Sequence, residues 1–401
     1  MIKQSSRTNN FTYAIRNIVQ AAEARERSGR KVTYLNIGDP QAFGFRPPAH
    51  VINAVERALT DSFTGYAHSA GLLEGREAIA NYATALGAPT TPQDVIITSG
   101  ASEAADLVLT ALVNPGDEVL LPAPGYPLYE AILNKLGWNA RHYLLFEADG
   151  WQPAIDQVRS LVSERTRALV LINPNNPTGA IIPDSIVSQM LEIAAQNGLL
   201  VIADEVYRDL CFSETPTPAS VLAQTIGVPV VTLESLSKTH MLSGWRVGWM
   251  RFTNLEAMTD LIGAITRLAS GRLCSPTPAQ YAIAPALNGG TDFLQGFMND
   301  IRIRRDLAVA QVNEIPGLSC TTPAAAFYLM IKVKGLGSEA DESFVLDLLE
   351  QTGVLVVHGS GFGCAPSDGY FRLVYLANPK TIETAFSAIR EFMQSRRDAA
   401  Q

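Results

Sequence analysis

Short apolar runs alternate with stretches of helical spacing through the middle of this chain, and that alternation restricts the fold more than any other feature. Val95–Ile97, Glu118–Leu121, Ala168–Ile172, Leu199–Ala203, Val230–Leu233 and Val247–Arg251 read as strands. Between most of them lie segments such as Ser102–Leu112, Tyr126–Leu136 and Ser185–Gln196, whose apolar residues recur at helical spacing. A strand that is apolar on both faces needs cover on both faces, so the pattern points to a mostly parallel sheet between two helical layers. Sheets of this kind bind ligands beyond the carboxyl ends of their strands. The two ends of the chain read differently. Residues 11–28 look helical and Gly38-Asp39-Pro40 breaks the chain. A long helix is expected over 291–313, strands at 326–333, 354–357 and 371–375, and a helix after Pro379. The expected class is α/β: a three-layer αβα large domain over 47–290, with 1–46 and 291–401 meeting as a smaller α+β domain.

Charge and cysteine usage remove several alternatives. The chain of 401 residues carries 31 basic and 39 acidic side chains, a net charge of 31 − 39 = −8. A generic binder of nucleic acid or anionic membrane would show a basic surface instead. No apolar run approaches the ~20 residues of a membrane span, and the start, MIKQSSRTNN, lacks the apolar stretch of a signal peptide. Cys211, Cys274, Cys320 and Cys364 are scattered, with no Cys-x-x-Cys pair and no zinc-like Cys/His spacing. These features lead us to expect a soluble, cytoplasmic protein with reduced thiols and no metal site. His50, His68, His142, His240 and His358 form neither a metal-ligand set nor a triad, although His240 and His358 lie beside motif residues.

Four motifs carry chemistry, and each has an ordinary structural explanation when taken alone. Ser235-Leu-Ser-Lys238 follows an apolar strand, and Arg246, in Gly244-Trp-Arg-Val-Gly248, comes 246 − 238 = 8 residues later. Lysine is almost never fully buried unpaired. Hydroxyls beside an arginine fork suit an anion; a solvated loop explains them equally well. Ala203-Asp204-Glu205-Val206-Tyr207 places an acid at a strand end, where it could hold a protonated ring nitrogen, with Tyr207 offering a phenol to a ring oxygen. A helix-capping aspartate followed by a packing tyrosine is the bland alternative. Asn173-Pro-Asn-Asn-Pro-Thr-Gly179 is a rigid turn that fixes Asn176 at the sheet edge, or merely a loop. Thr98-Ser-Gly-Ala-Ser102 is a strand–glycine–helix junction whose amides could cradle a phosphate, or a packing junction.

Together these parts are what pyridoxal 5′-phosphate needs from a protein. The ordered set NPNNPTG, ADEVY, SLSK and GWRVGW resembles the class I/II, fold-type I aminotransferases, and the resemblance covers nearly the whole chain. Further stretches are similar to the alanine aminotransferase branch. They are Tyr13-Ala-Ile-Arg16, Leu35-Asn-Ile-Gly-Asp-Pro40 with Phe43-Gly-Phe-Arg46, Arg272-Leu-Cys274 with Pro278-Ala-Gln280, and Val357-His-Gly-Ser-Gly-Phe-Gly363.

The resemblance implies roles by position. Lys238 would bind the cofactor covalently and shuttle a proton, its pKa lowered by Arg246 and by exclusion of water. Asp204 would pair with the pyridine nitrogen, and Tyr207 and Asn176 would hydrogen-bond the 3′-oxygen. Arg246, Ser235 and the amides near Ala101 and Ser102 would hold the phosphate, although the alanine branch often lacks a hydroxyl at the position of Ser235. Tyr126 would stack on one ring face and Val206 support the other. Tyr66 would reach the phosphate of a partner subunit, making a homodimer with composite active sites. Arg372 would grip the substrate α-carboxylate with a bidentate fork, with the Gly38 backbone nearby. Tyr13 and Arg16 would close over the substrate. Arg272 is either a partner for a distal carboxylate or half of a structural salt bridge.

The implied reaction is a ping-pong exchange of an amino group between amino acids and 2-oxo acids, with alanine and 2-oxoglutarate giving pyruvate and glutamate. Transamination of an aromatic, branched-chain or biosynthetic amino acid, or carbon–sulfur lysis on the same scaffold, stays open. So does a cofactor-binding regulatory module, against which the complete catalytic set and the lack of a DNA-binding segment speak. A nicotinamide dehydrogenase is disfavoured because no Gly-x-Gly-x-x-Gly follows a first strand.

Overall fold

A computed structural model describes residues 2–5, 14–336 and 340–399, leaving aside the side chains of 14–17 and 139. In chain order the strands are β1 (Thr33–Tyr34), β2 (Val95–Thr98), β3 (Glu118–Ala123), β4 (Asn139–Phe146), β5 (Gln152–Pro153), β6 (Thr166–Ile172) and β7 (Leu200–Asp204). They continue with β8 (Val230–Ser235), β9 (Gly248–Thr253), β10 (Leu318–Cys320), β11 (Tyr328–Val333), β12 (Val354–Leu355), β13 (Val357–His358) and β14 (Tyr370–Val374).

An eight-stranded sheet runs β2-β9-β8-β7-β6-β3-β4-β5. Its neighbours from β8 through β4 pair in parallel, while β9 and β5 run antiparallel to the strands they pair with. Side chains alternate between the two faces with the strand period of two. Val119, Leu121, Val170, Ile172 and Ile202 enter one core, and Leu120, Leu169, Leu171, Val201 and Ala203 enter the other. Helices Ala101–Leu112 and Thr259–Gly271 cover the first face, and Asp184–Gln196 and Ala219–Ile226 the second. The three-layer large domain with a mostly parallel sheet expected from the sequence is present.

A smaller sheet, ordered β10-β11-β14-β13, packs with helices Ala14–Arg27, Asp292–Glu314, Asp341–Thr352 and Pro379–Ala399 around its own core. All its pairings are antiparallel. One expected strand is divided. Residues 354–357 split into β12, which pairs in parallel with β1, and the start of β13, which pairs with β14. Helix Ala14–Arg27 falls within the helical span expected over 11–28.

Candidate active site

The carboxyl ends of the parallel strands converge on one cavity of about 600 Å3. Twelve of the residues singled out in the sequence line it: Gly38, Ala101, Ser102, Tyr126, Asn176, Asp204, Val206, Tyr207, Ser235, Lys238, Arg246 and Arg372. The large sheet and the loops after its strands supply most of them. Arg372 comes from β14 of the small sheet, and Gly38 from the break in the N-terminal stretch.

β2 delivers Ser99 and Gly100 to the start of helix Ala101–Leu112. Gly100 sits at φ 78°, and a Cβ there would stand 2.6 Å from Arg246 Nη2, so the guanidinium lies directly over this glycine. Arg246 itself adopts φ 58°, a left-handed conformation that costs a non-glycine residue about 1 kcal/mol or more. Its Nη1 donates to Ser243 O at 2.9 Å and its Nη2 to Ser99 O at 3.3 Å. The result is a cationic cup beside helix N–H groups, suited to an anion. Gly248 closes the cup from behind, since a Cβ there would meet Ala101 N at 2.5 Å. Gly248→Ala is therefore expected to cost about 1–3 kcal/mol by overpacking, a loss that thermal unfolding would register.

Ser235 ends β8 and caps the short helix Leu236–Thr239, accepting the Ser237 N–H at 2.9 Å. Its hydroxyl lies 2.6 Å from Ser237 Oγ and 2.9 Å from Val247 O. That helix carries Lys238 into the cavity, where Nζ donates to Gly38 O at 2.6 Å. Burial pushes the Lys238 amine down to about 8. Asp39 opposes that shift, while Arg372 and Arg246 add to it. The expected effect of Arg246 is present but smaller than that of burial.

Asp204 ends β7, almost wholly buried. Its Oδ2 accepts from Tyr129 Oη at 2.8 Å and its Oδ1 from Val206 N at 3.3 Å. Burial raises its pKa, and those two hydrogen bonds oppose the rise. A carboxylate so placed calls for a cationic partner in the cavity. Tyr207 Oη lies 2.6 Å from Tyr328 Oη. Burial, followed by Tyr328, holds the Tyr207 phenol well above its ordinary value, so it stays protonated.

The loop after β6 uses its asparagines differently. Asn173 exchanges hydrogen bonds with Ile182, and Asn175 Oδ1 accepts from Thr178 N and Oγ1, so both close the turn. Asn176 faces the cavity, its Oδ1 accepting from Arg372 Nη1 at 3.0 Å. A guanidinium only donates, which fixes the amide with its NH2 as the remaining donor group. Arg372 Nη2 donates to Asn36 O at 2.6 Å. The guanidinium is sandwiched, with its carbon 4.4 Å from the Tyr328 ring centroid and 4.5 Å from that of Phe362. Its plane is set before any ligand arrives.

Tyr66, expected to serve a partner subunit's site, is 85 % exposed and does not line the cavity of its own chain. Arg272 is the structural alternative: its Nε pairs with Glu103 Oε1 at 2.8 Å, and its other nitrogens donate to Ser69 O and Ile97 O. Tyr13 lies outside the described residues, as does the side chain of Arg16. The sequence reading overlooked Asp39, Ser243 and Tyr328 as cavity residues, whereas Ser237, read as a hydroxyl of the anion site, lines it. Asp39 and Ser243 join across the cavity wall, Ser243 Oγ donating to Asp39 Oδ1 at 2.7 Å.

The chain is similar to known proteins along nearly its whole length. The model of the family described as aminotransferase class I and II matches residues 30–389. The glutamate-pyruvate aminotransferase AlaA of Haemophilus influenzae is 37% identical over 404 residues, spanning 99% of this chain and 99% of that protein. The alanine aminotransferase of Mycobacterium tuberculosis is 37% identical over 404 residues, covering 98% and 93%. The solved alanine aminotransferase of Pyrococcus furiosus superposes with a TM-score of 0.95 at 39% identity, covering 98% of this chain and 100% of that one.

Proposed function

Because this chain belongs to the class I and II aminotransferases, we propose that it exchanges the amino group between L-alanine and 2-oxoglutarate, giving pyruvate and L-glutamate. The observation that carries the reading is the convergence of Lys238, Asp204 and Arg372 on one cavity. The names of the relatives, glutamate-pyruvate and alanine aminotransferase, favour this substrate pair.

Pyridoxal 5′-phosphate, on which enzymes of this family depend, fits the residues present. A glycine cradle under an arginine suits its phosphate, and a buried carboxylate suits its protonated ring nitrogen. Bound there, the cofactor supplies an electron sink for the substrate α-carbon. Arg246, Ser235, Ser237 and the amides of Ala101 and Ser102 would hold the phosphate. Asp204 would keep the proton on the ring nitrogen, its own position fixed by Tyr129. Tyr207 and Asn176 would donate to the 3′-oxygen, with Tyr126 and Val206 against the two ring faces. Lys238, with an amine near 8, has a substantial neutral fraction at pH 7–8, so its Nζ can anchor the cofactor and then carry the α-proton. Arg372 would take the α-carboxylate of either substrate, with Gly38 beside it.

The same reading includes a homodimer in which Tyr66 serves the neighbouring subunit. Leu59, Phe63, Tyr66 and Leu73 are all at least half exposed within a short stretch, a density of apolar surface that suits an interface. A cytoplasmic location belongs to it too, supported by the four free cysteines. Among the described residues no helix is long and apolar enough to cross a membrane. A large unit over 47–290 and a small one from 1–46 and 291–401 are supported by the two sheets and their separate cores.

The cations among the described cavity residues are Lys238, Arg246 and Arg372, each already given a task. With Arg272 tied to Glu103, Arg16 is left to meet the distal carboxylate of glutamate. Arg16→Gln is expected to raise KM for glutamate and 2-oxoglutarate about tenfold or more while sparing alanine, because a charge-assisted pair is lost. Arg272→Gln should leave the ratio of the two half-reactions unchanged. Measuring both half-reactions in each variant checks this. The activity itself is tested by pyruvate release from L-alanine and 2-oxoglutarate. A wide preference for aromatic or branched donors would overturn the substrate assignment.

A further inference from the structure

Tyr328 belongs to none of the sequence motifs, yet it touches both ends of the site. In the β11–β14 ladder Met330 stands opposite Arg372 and Tyr328 opposite Val374. Tyr328 and Arg372 are therefore diagonal neighbours on one face of the small sheet, within reach of long side chains. The Arg372 guanidinium carbon lies 4.4 Å from the Tyr328 ring centroid, and Tyr328 Oη lies 2.6 Å from Tyr207 Oη. A Cβ on Gly38 would fall 2.3 Å from that same hydroxyl, so the absence of a side chain at Gly38 makes room for it. The residue is 3% exposed.

We propose that Tyr328 is a positioning residue that couples the two halves of the site: its ring face sets the plane of the Arg372 fork, and its hydroxyl sets the direction in which Tyr207 donates. Each phenol has one proton. If Tyr207 donated to Tyr328, it would have no proton left for the cavity. With Tyr328 as donor, the Tyr207 proton points to the cofactor 3′-oxygen, and a phenol that accepts one hydrogen bond donates the next more strongly. The ring works separately. A guanidinium held against a desolvated aromatic face gains affinity and loses orientational freedom, and that freedom would otherwise weaken its bidentate grip on a carboxylate.

This inference rests on the proposed cofactor site, so the test separates the two. The enzyme loaded with pyridoxal 5′-phosphate is titrated with pH by its visible spectrum, and its Kd for propionate, a carboxylate without an amine, is measured. In Tyr328→Phe the weaker donor at Tyr207 leaves more negative charge on the 3′-oxygen, which holds the titrating proton more tightly. The midpoint should rise by about half a pH unit, with Kd for propionate changed less than about twofold. In Tyr207→Phe, adding Tyr328→Phe should move the midpoint no further. Tyr328→Met fills a similar space without a ring face and should raise Kd for propionate about tenfold. Should that variant not fold, the Tyr328→Phe midpoint still decides the hydroxyl's role. An unmoved midpoint in Tyr328→Phe, an equal shift in the Tyr207→Phe background, or unaltered propionate binding in a folded Tyr328→Met would overturn the inference. A wild-type protein that takes up no cofactor would overturn the site assignment instead.

Discussion

Lys238→Ala is expected to lower turnover by ~10⁴-fold or more, because it removes both the proposed covalent anchor and the proposed proton carrier. Pyridoxal 5′-phosphate should still bind, since the cup around Gly100 and Arg246 does not involve the lysine. In the wild-type protein, borohydride should fix the cofactor to Lys238, and peptide mapping of the reduced adduct checks the assignment. An adduct on any other lysine would remove the basis for the whole site. The pH dependence follows from burial, which pushes the Lys238 amine down to about 8. Only the neutral amine is a nucleophile, so loading of the apoprotein should accelerate as pH rises through about 8. An amine of ordinary basicity, near 10.4, would put that rise more than two units higher.

Asp204→Asn should slow the chemistry about a hundredfold or more, the size of a preorganised electrostatic contact worth ~3 kcal/mol. The buried carboxylate has a phenol, Tyr129, and a backbone amide, Val206, as hydrogen-bond donors. Neither neutralises it, which leaves the cavity side for a cation. The neutral amide would no longer favour a protonated ring nitrogen, and the electron sink would weaken. Cofactor affinity should fall much less than kcat, because phosphate and ring contacts remain. Single-turnover kinetics against a cofactor titration separate the two, and equal losses in both would refute the role.

What the sequence made legible follows from what each element buries. Strands β3, β6, β7 and β8 are buried along nearly their whole length, so their apolar runs stood out. β4 lies near the sheet edge with Leu144 and Phe146 exposed and Arg141 and His142 half-buried, and its mixed pattern gave no strand signal. The division of 354–357 between two sheets could not be read locally, since the partners, β1 and β14, lie far off in sequence. The cavity lining was legible where a polar residue follows an apolar strand, as at Asp204, Asn176 and Lys238. Tyr328 was hidden for the opposite reason. In Ala324-Ala-Ala-Phe-Tyr328 it continues an apolar strand and reads as core. The available signal was its hydroxyl, which in a buried strand must find a partner. Arg272 shows the reverse case, a cation beside suggestive motifs whose charge is spent on Glu103.

The order in which the chain supplies these parts has a consequence for its synthesis. The residues proposed to hold the phosphate, the lysine and the ring-nitrogen partner are all in place once β9 has been made, at Thr253, whereas the proposed carboxylate fork must wait for Arg372, 372 − 253 = 119 residues later. At the ~5–20 residues per second of a translating ribosome, that interval is roughly 6–24 s. A nascent chain whose large sheet has already folded would therefore be able to capture the cofactor before it can select a substrate. The site would then lack Arg372, the residue proposed to give substrates a fixed orientation. An excess of free cofactor during expression should thus favour early loading, and ribosome-bound chains stalled with β9 emerged but Arg372 not yet made should already take up pyridoxal phosphate.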